Sequence, residues 1–172
     1  MKTHVFGVTA DGGLWHTIVG AQDYLDMDVH GTHGVPWTGT VVDAACAADD
    51  DGNLHVLVVA DGKLWHTVRS PGPGAPWAPK TANGTSFGDV GAVVGGESGK
   101  FKAVTAYTTG KDLHVVAATD DKKLWHTIRR PTGDAPIHEA KGGKWIKFEE
   151  EKRQGAAKGQ QFRILESVSS VK

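Results

Sequence analysis

The same order of apolar and polar positions recurs in three stretches of this 172-residue chain. The pattern Leu-Trp-His-Thr followed by Ile or Val occurs at Leu14–Ile18, Leu64–Val68 and Leu124–Ile128. A second recurring stretch precedes each copy, with His4, His55 or His114 at its second position. Three copies with matching upstream partners indicate an internal repeat.

Each pair of stretches is joined by a short polar turn that contains Asp11, Asp61 or Asp121. Two β-type runs around such a turn predict a β-hairpin, because glycine tolerates the positive φ that the turn requires. The predicted hairpin strands are 3–9 with 14–19, 54–60 with 64–69, and 113–119 with 124–129. In the third copy Lys122 replaces the glycine, which predicts a more strained turn.

The second strand of each hairpin has large side chains on both of its faces. Leu64, His66 and Val68 alternate with Trp65, Thr67 and Arg69, so the two sets point to opposite sides of the strand. We therefore expect this strand to lie between two neighbouring sheets in every repeat.

A Gly/Pro-rich loop follows each hairpin and leads to a second tryptophan, which is Trp37, Trp77 or Trp145. Apolar strands are then predicted at 41–48 and 101–108, before the second and third hairpins. The first hairpin has no such strand before it, whereas the segment at about 161–169 is a spare strand with no hairpin behind it. Residues 1–172 are thus predicted to be one domain of three repeats, in which the C-terminal strand completes the first.

Four strands in each repeat of 50 to 62 residues are typical of a β-propeller blade. We therefore expect an all-β fold with three blades per chain. Closed propellers have about 4 to 8 blades, so three should not close alone. Two chains would complete a six-bladed ring as a homodimer, closed by exchange of the C-terminal strand.

The amino-acid composition agrees with a β-rich domain, and the charge balance limits the classes of molecule that the protein is expected to bind. The chain has 39% hydrophobic residues, 23 glycines and a net charge of −1, with acidic and basic residues intermixed. This balance does not favour binding to nucleic acid or to an anionic membrane. No signal peptide is visible at the N-terminus, so we expect a cytoplasmic or non-classically secreted protein. The one cysteine, Cys46, excludes an internal disulfide.

The repeat resembles that of bacterial β-propeller lectins of the Photorhabdus type and of related actinobacterial repeat proteins. The residues that carry the resemblance are Leu-His-Val, Asp-Gly-Lys-Leu-Trp-His-Thr-Val-Arg, Pro-Trp and Phe87–Val90, and they are most complete from Leu54 to Arg129. The resemblance implies a propeller that binds fucose and related sugars between adjacent blades. Those lectins have seven blades in one chain, whereas three repeats are present here, and Val19 stands where the other copies have Arg69 and Arg129.

The candidate ligand-binding residues are the six tryptophans and two arginines of the repeats. Trp15, Trp65 and Trp125 lie in the middle of the repeat, so they serve either as sugar platforms or as core between blades, and the core is favoured. The loop tryptophans are the better candidates for stacking on a ligand. The predicted interblade pockets combine these side chains: Trp15, Trp37, Trp65, Arg69, Trp77, Trp125, Arg129 and Trp145.

The recurring histidines and one acidic loop are the remaining candidates for chemistry. The regular repetition of the histidines favours hydrogen bonds that tie one strand to the next over a metal site, because a metal needs ligands that converge on one point. In the first repeat, Asp26, Asp28, His30 and His33 form a candidate transition-metal site, with a solvated loop as the alternative. No cofactor and no catalytic residue is expected.

The leading functional hypothesis is a carbohydrate-binding, lectin-like propeller whose partners are a second copy of itself and a glycan or other small molecule. The alternatives are an enzyme, with its site at the central mouth or in the 26–33 loop, and a non-catalytic scaffold for protein interactions. No nucleophile elbow or dinucleotide-binding fingerprint supports an enzyme.

Overall fold

A computed structural model of the chain describes residues 3–19, 27–28, 35–72, 77–78, 87–131 and 143–150. These residues form three antiparallel sheets, which confirms the all-β prediction. The first sheet contains β1 (Thr3–Val8), β2 (Leu14–Val19) and β3 (Met27–Asp28), in that order.

The second and third sheets share one plan. The second contains β4 (Val41–Ala48), β5 (Leu54–Ala60), β6 (Lys63–Arg69), β7 (Trp77–Ala78) and β8 (Gly88–Asp89). A short helix, α1 (Val90–Val94), leads to the third sheet. The third contains β9 (Phe101–Thr109), β10 (Asp112–Thr119), β11 (Leu124–Pro131), β12 (Gly143–Trp145) and β13 (Glu149–Glu150). The central strands follow in chain order, and β7 and β8, like β12 and β13, share one edge.

The backbone register repeats from sheet to sheet, which confirms the three predicted hairpins. Gly7, Val58 and Ala117 pair with the tryptophans of the three Trp-His-Thr motifs. On the other edge, the short strands β3, β8 and β13 pair with the same Trp and His positions. Met27–Asp28 is therefore the counterpart of Gly88–Asp89 and Glu149–Glu150.

This register corrects the alignment of the loop tryptophans. Trp77 lies in β7, before β8, and Trp145 lies in β12, before β13. Trp37, in contrast, follows β3 and lies in the segment that leads to β4. Trp77 pairs with Arg69, and Trp145 pairs with Arg129. Trp37 is thus not a third copy of Trp77 and Trp145, as the Gly/Pro-rich loops had suggested.

The turns obey the expected backbone chemistry. Asp61 and Gly62 both have positive φ, at 54° and 72°, as a two-residue hairpin turn of the primed type requires. Lys122 adopts a φ of 67° in the third turn, a left-handed conformation that costs a side chain about 1–2 kcal/mol. The predicted strain at the third turn is confirmed.

The core lies between consecutive sheets. One cluster joins the first sheet to the second through Leu14, Val41, Trp65 and Phe87. The other joins the second sheet to the third through Leu64, Phe101, Trp125 and Phe148, which are the counterparts of those four residues. Trp37 belongs to the first cluster and Val90 to the second. Each junction is therefore built from the same positions of the repeat.

Each junction also contains an equivalent backbone hydrogen bond, which lies beside the hairpin turn of the earlier sheet. The Val41 amide donates to the Gly12 carbonyl at 3.0 Å, and the Phe101 amide donates to the Gly62 carbonyl at 2.9 Å. Each bond joins a hairpin turn to the first strand of the next sheet. The Asp43 carboxylate adds a link between β4 and β9, since its Oδ2 accepts from the Val104 amide at 2.8 Å.

The expectation that every motif strand lies between two sheets holds only for the second sheet. In β6, all residues from Leu64 to Val68 are buried. In β11, Trp125 and Thr127 are buried, but their neighbours Leu124 and His126 are half-buried. In β2, Trp15 is 43% exposed. The reason is that the first and third sheets each pack against one neighbouring sheet within the described part of the chain.

The predicted strand at 161–169 lies outside the described residues, so its pairing stays a prediction. In the described ranges, no helix has the length and apolar character that crossing a bilayer requires.

Candidate ligand site at the sheet junctions

Each sheet contains a pair of histidines that contact one another. Nδ1 of His4 lies 2.8 Å from Nε2 of His16, and the equivalent distances are 3.1 Å for His55 and His66 and 3.2 Å for His114 and His126. The rings of each pair are stacked. The prediction that these histidines tie one hairpin strand to the other by hydrogen bonds is confirmed.

At the first junction, a tryptophan and an arginine of the second sheet meet the histidine pair of the first. The ring of Trp77 stands perpendicular to His16 at 5.8 Å and to Phe6 at 6.2 Å between centroids. The guanidinium of Arg69 lies 5.9 Å from the centre of the Trp77 ring, within the range of a cation–π contact. Trp77 and Arg69 are both half-buried, so this cluster adjoins solvent.

The second junction repeats the cluster one sheet further along. Trp145 stands perpendicular to His66 at 5.3 Å, and it pairs across the strands with Arg129. Arg129 is only 6% exposed, and burial lowers the pKa of its guanidinium. The two junctions therefore hold the same residue types, although the second is more deeply enclosed.

The second junction also contains a buried carboxylate that the first does not match in the described residues. Oδ2 of Asp49 lies 3.5 Å from Nε2 of His55, and the Asn53 amide and side chain donate to the same carboxylate at 2.8–3.1 Å. Burial opposes ionisation of Asp49, but its contacts with His55 and Asn53 hold its pKa below the ordinary value. Asp49 thus faces the buried Arg129 as an anion.

The histidines of this junction are neutral. Burial lowers the pKa of His55, and it lowers the pKa of His66 well below the ordinary 6.5; the positive charge of Arg129 acts in the same direction on both. The junction therefore combines one cation, one anion, neutral ring nitrogens and an indole. Such a set donates and accepts hydrogen bonds around an apolar surface, and small-molecule sites in general use this combination.

The motif tryptophans Trp65 and Trp125 are core residues, as favoured from the sequence, with exposures of 8% and 5%. The indole nitrogen of Trp65 donates to the Ala60 carbonyl, and that of Trp125 donates to Thr119 Oγ1. Four residues separate Trp65 from Arg69 along β6, which corresponds to about 13 Å. The predicted pocket of Trp65, Arg69 and Trp77 is therefore wrong with respect to Trp65, because that side chain lies near the other end of the strand.

Trp37 and Trp15 also differ from expectation, in opposite directions. Trp37 was a candidate for exposed stacking but is 4% exposed, packed against Trp65 and Phe87. Trp15 was favoured as core but is 43% exposed. Lys63 and Lys123 cover the rings of Trp65 and Trp125 at 5.3 and 5.5 Å, whereas Gly13 occupies the equivalent position beside Trp15.

The proposed metal loop is not tested by the geometry. Asp26, His30 and His33 lie outside the described residues, and for Asp28 the structure describes the backbone, which pairs with Trp15. Within the described ranges, no three His, Cys, Asp or Glu side chains converge on a possible metal position.

Asp49 and Asn53 are not among the site residues that the sequence predicts. A usable signal was present, because Asp49 directly follows the predicted strand 41–48 and Asn53 directly precedes the strand that carries His55. Residues at these two positions must lie side by side when the strands pair.

Comparison with known proteins identifies no relative: no protein-family model matches the chain, and no curated protein matches it.

Proposed function

We propose that the chain forms half of a six-bladed β-propeller and binds carbohydrate at the junctions between adjacent blades. Each described sheet is one blade in this proposal, and the segment 161–169 supplies the remaining strand beside β1 of a second chain. The observation that carries the functional part is the recurrence of Arg, Trp and a histidine pair at both junctions.

The chemistry of the first junction suits a pyranose. The indole of Trp77 offers an apolar surface for the C–H face of a sugar, and it is half-buried beside solvent. The guanidinium of Arg69 presents several N–H donors in a fixed plane, which match a pair of neighbouring sugar hydroxyls. The resemblance of the repeat to propeller lectins supports fucose-type sugars as the first ligands to test.

The enclosed second junction favours a ligand of small size or one that enters edge-on. Arg129 is almost fully buried, which limits the access of a ligand to its guanidinium. We therefore expect weaker binding there than at Arg69. Several weak sites on one ring would combine through avidity on a multivalent glycan.

Titration calorimetry of the intact protein with L-fucose and methyl fucosides tests this proposal, followed by a glycan array. We expect binding that Arg69→Ala and Trp77→Ala each weaken at least tenfold, because each removes one of the two principal contacts. Arg130→Ala is the matched control, since Arg130 is exposed and pairs with Asp112 of its own sheet at 3.1 Å, on the opposite face of the sheet from Arg129. No binding of any monosaccharide or arrayed glycan would overturn the carbohydrate assignment.

A further inference from the structure

Two sheet faces of the described structure carry apolar residues that are only partly covered, and these faces lie on the first and third sheets. On the first sheet, one face carries Val5, Gly7, Trp15 and Thr17, of which Val5 is 44% and Trp15 43% exposed. On the third sheet, the face that points away from the second carries Val116, Leu124, His126 and Ile128, all half-buried. We call these the leading face and the trailing face, respectively.

The same positions in the second sheet are fully covered. Val56 and Trp65, the counterparts of Val5 and Trp15, are 0% and 8% exposed. Leu57 and Leu64, the counterparts of Val116 and Leu124, are both 0% exposed. The openness of the two faces therefore results from the lack of a neighbouring sheet among the described residues and not from their residue types.

The two junctions within the chain define which faces fit together. At both, the trailing face of the earlier sheet packs against the leading face of the later sheet: Leu14 meets the Trp65 side of the second sheet, and Leu64 meets the Trp125 side of the third. The two faces left over are one of each kind. Each is thus complementary to the other face and not to itself.

We propose that the trailing face of the third sheet binds the leading face of the first sheet of a second copy, and that this contact is structural and does not bind sugar. The inference rests on the propeller arrangement proposed above. A two-fold axis then forms two equal junctions between chains, which bury both open faces of both copies.

The proposed junction between chains lacks the arginine that forms the proposed sugar contact at the two junctions within the chain. Val19 occupies the register position of Arg69 and Arg129, since it pairs with Thr3 as Arg69 pairs with Leu54 and Arg129 with Leu113. An aliphatic residue there cannot supply the guanidinium. The sugar stoichiometry should therefore be two sites per chain, whether or not the chains associate.

The charged side chains described on the trailing face are compensated within the third sheet. Asp112 and Arg130 lie at the end of this face, where they form an ion pair of 3.1 Å. Burial and the neighbouring His126 lower the pKa of His114, which favours the neutral form of His114 near neutral pH. Burial of this face therefore leaves neither the ion pair nor His114 as an unpaired charge.

Sedimentation equilibrium and two charge-introducing variants test the inference. We expect the wild-type protein to have twice the chain mass of 18.2 kDa. Trp15→Glu damages the leading face, Leu124→Glu damages the trailing face, and each variant alone should be monomeric at concentrations where the wild type is dimeric. Val93→Glu is the matched control, because Val93 is 69% exposed on α1, outside both faces, and this variant should remain dimeric.

Mixing the two variants gives the sharpest outcome. The intact trailing face of the Trp15→Glu chain can bind the intact leading face of the Leu124→Glu chain, so the mixture should recover dimers that neither variant forms alone. A monomeric wild type, or dimers that resist both substitutions, would overturn the inference. Failure of mixing to restore any dimer would also overturn it, because the intact trailing face of one variant would then not bind the intact leading face of the other.

Sugar titration of the monomeric Leu124→Glu variant separates the two proposals. Binding of two sugars per chain is expected, as for the wild type. If the wild type is dimeric but binds no sugar, the carbohydrate proposal fails and the docking surface stands. If it is monomeric and binds sugar, the docking surface fails and the carbohydrate proposal stands.

Discussion

At the residue scale, the histidine pairs show how a repeated polar residue can serve the fold. His55 and His66 are 1% and 6% exposed, and Nδ1 of His55 lies 3.1 Å from Nε2 of His66. One ring must donate and the other accept, which requires both rings to be neutral or one proton to be shared. Burial in the sheet junction thus makes this pair sensitive to acid.

We expect the protein to lose stability as the pH falls below 6.5. Burial holds the pKa of His55 and His66 below the unfolded value of 6.5, so on acidification the unfolded chain binds protons before the folded chain does. The neutral pair contributes its full stability above pH 6.5. This contribution decreases as the pH falls from 6.5 towards the lower pKa values that the two histidines have in the folded protein. Urea unfolding between about pH 7.5 and pH 5.5 measures this loss.

The double variant His55→Asn, His66→Gln serves as the comparison for this pH series. It should be less stable than wild type at about pH 7.5, because the buried contact is disturbed, yet its stability should change less on acidification. Parallel pH profiles of the two proteins would contradict the assignment of acid sensitivity to this pair.

At the scale of the element, the turn within the first hairpin is joined directly to the first strand of the next sheet. Gly12 has a φ of 82°, and its carbonyl accepts the hydrogen bond from Val41 at the start of β4. A Cβ at this position would lie 2.3 Å from the Thr40 Cβ and 2.9 Å from its Cα. The turn therefore needs glycine both for its backbone conformation and for the approach of the next sheet.

Gly12→Ala should destabilise the protein by more than about 2 kcal/mol, since it combines an unfavourable φ with a clash against backbone. Gly7→Ala is the matched control, because a Cβ at Gly7 meets nothing within 4 Å and the residue has no positive φ. Ala117 already occupies the same position in the third sheet, so the control should be nearly neutral or slightly stabilising. Equal denaturation midpoints for the two variants would refute this account of the turn.

At the scale of the whole molecule, neighbouring sheets do not share a strand ladder, so side chains form hydrogen bonds from one sheet to the next. Asp43 is the clearest case, since its two carboxylate oxygens accept from the amides of Ala44 in its own strand and Val104 in the next sheet, at 2.9 and 2.8 Å. Val104 is 2% exposed, so its amide has little access to water. Burial raises the pKa of Asp43, although these two hydrogen bonds oppose that shift.

Asp43→Ala should cost about 1–3 kcal/mol, because it leaves the buried Val104 amide without this acceptor. Asp43→Asn retains one acceptor oxygen and removes the buried charge, so it should cost less than the alanine variant. Chemical denaturation of the three proteins at one pH measures the order. If the asparagine and alanine variants are equally unstable, the carboxylate is not the link between the second and third sheets that we describe.

Much of the fold was predictable because it depends on local periodicity. Strands 41–48 and 54–60 match β4 and β5, and the strained third turn follows from Lys122 in place of glycine. The identical register of β8 and β13 makes Phe148–Glu150 the counterpart of Phe87–Asp89. The alignment of Trp37 with Trp77 and Trp145 failed, because loops of variable length carry no register.

The sequence by itself determined the three repeats, their hairpins and the tie between paired histidines, since alternation and turn chemistry act over a few residues. Tertiary structure alone decided which tryptophans are buried and which residues meet Arg69 and Arg129. Trp15, Trp65 and Trp125 have the same local sequence, yet they differ in exposure by a factor of five or more, from 43% to 8% and 5%. The physical reason is that burial depends on whether another sheet packs against the same face, and a repeated motif carries no information about its neighbours.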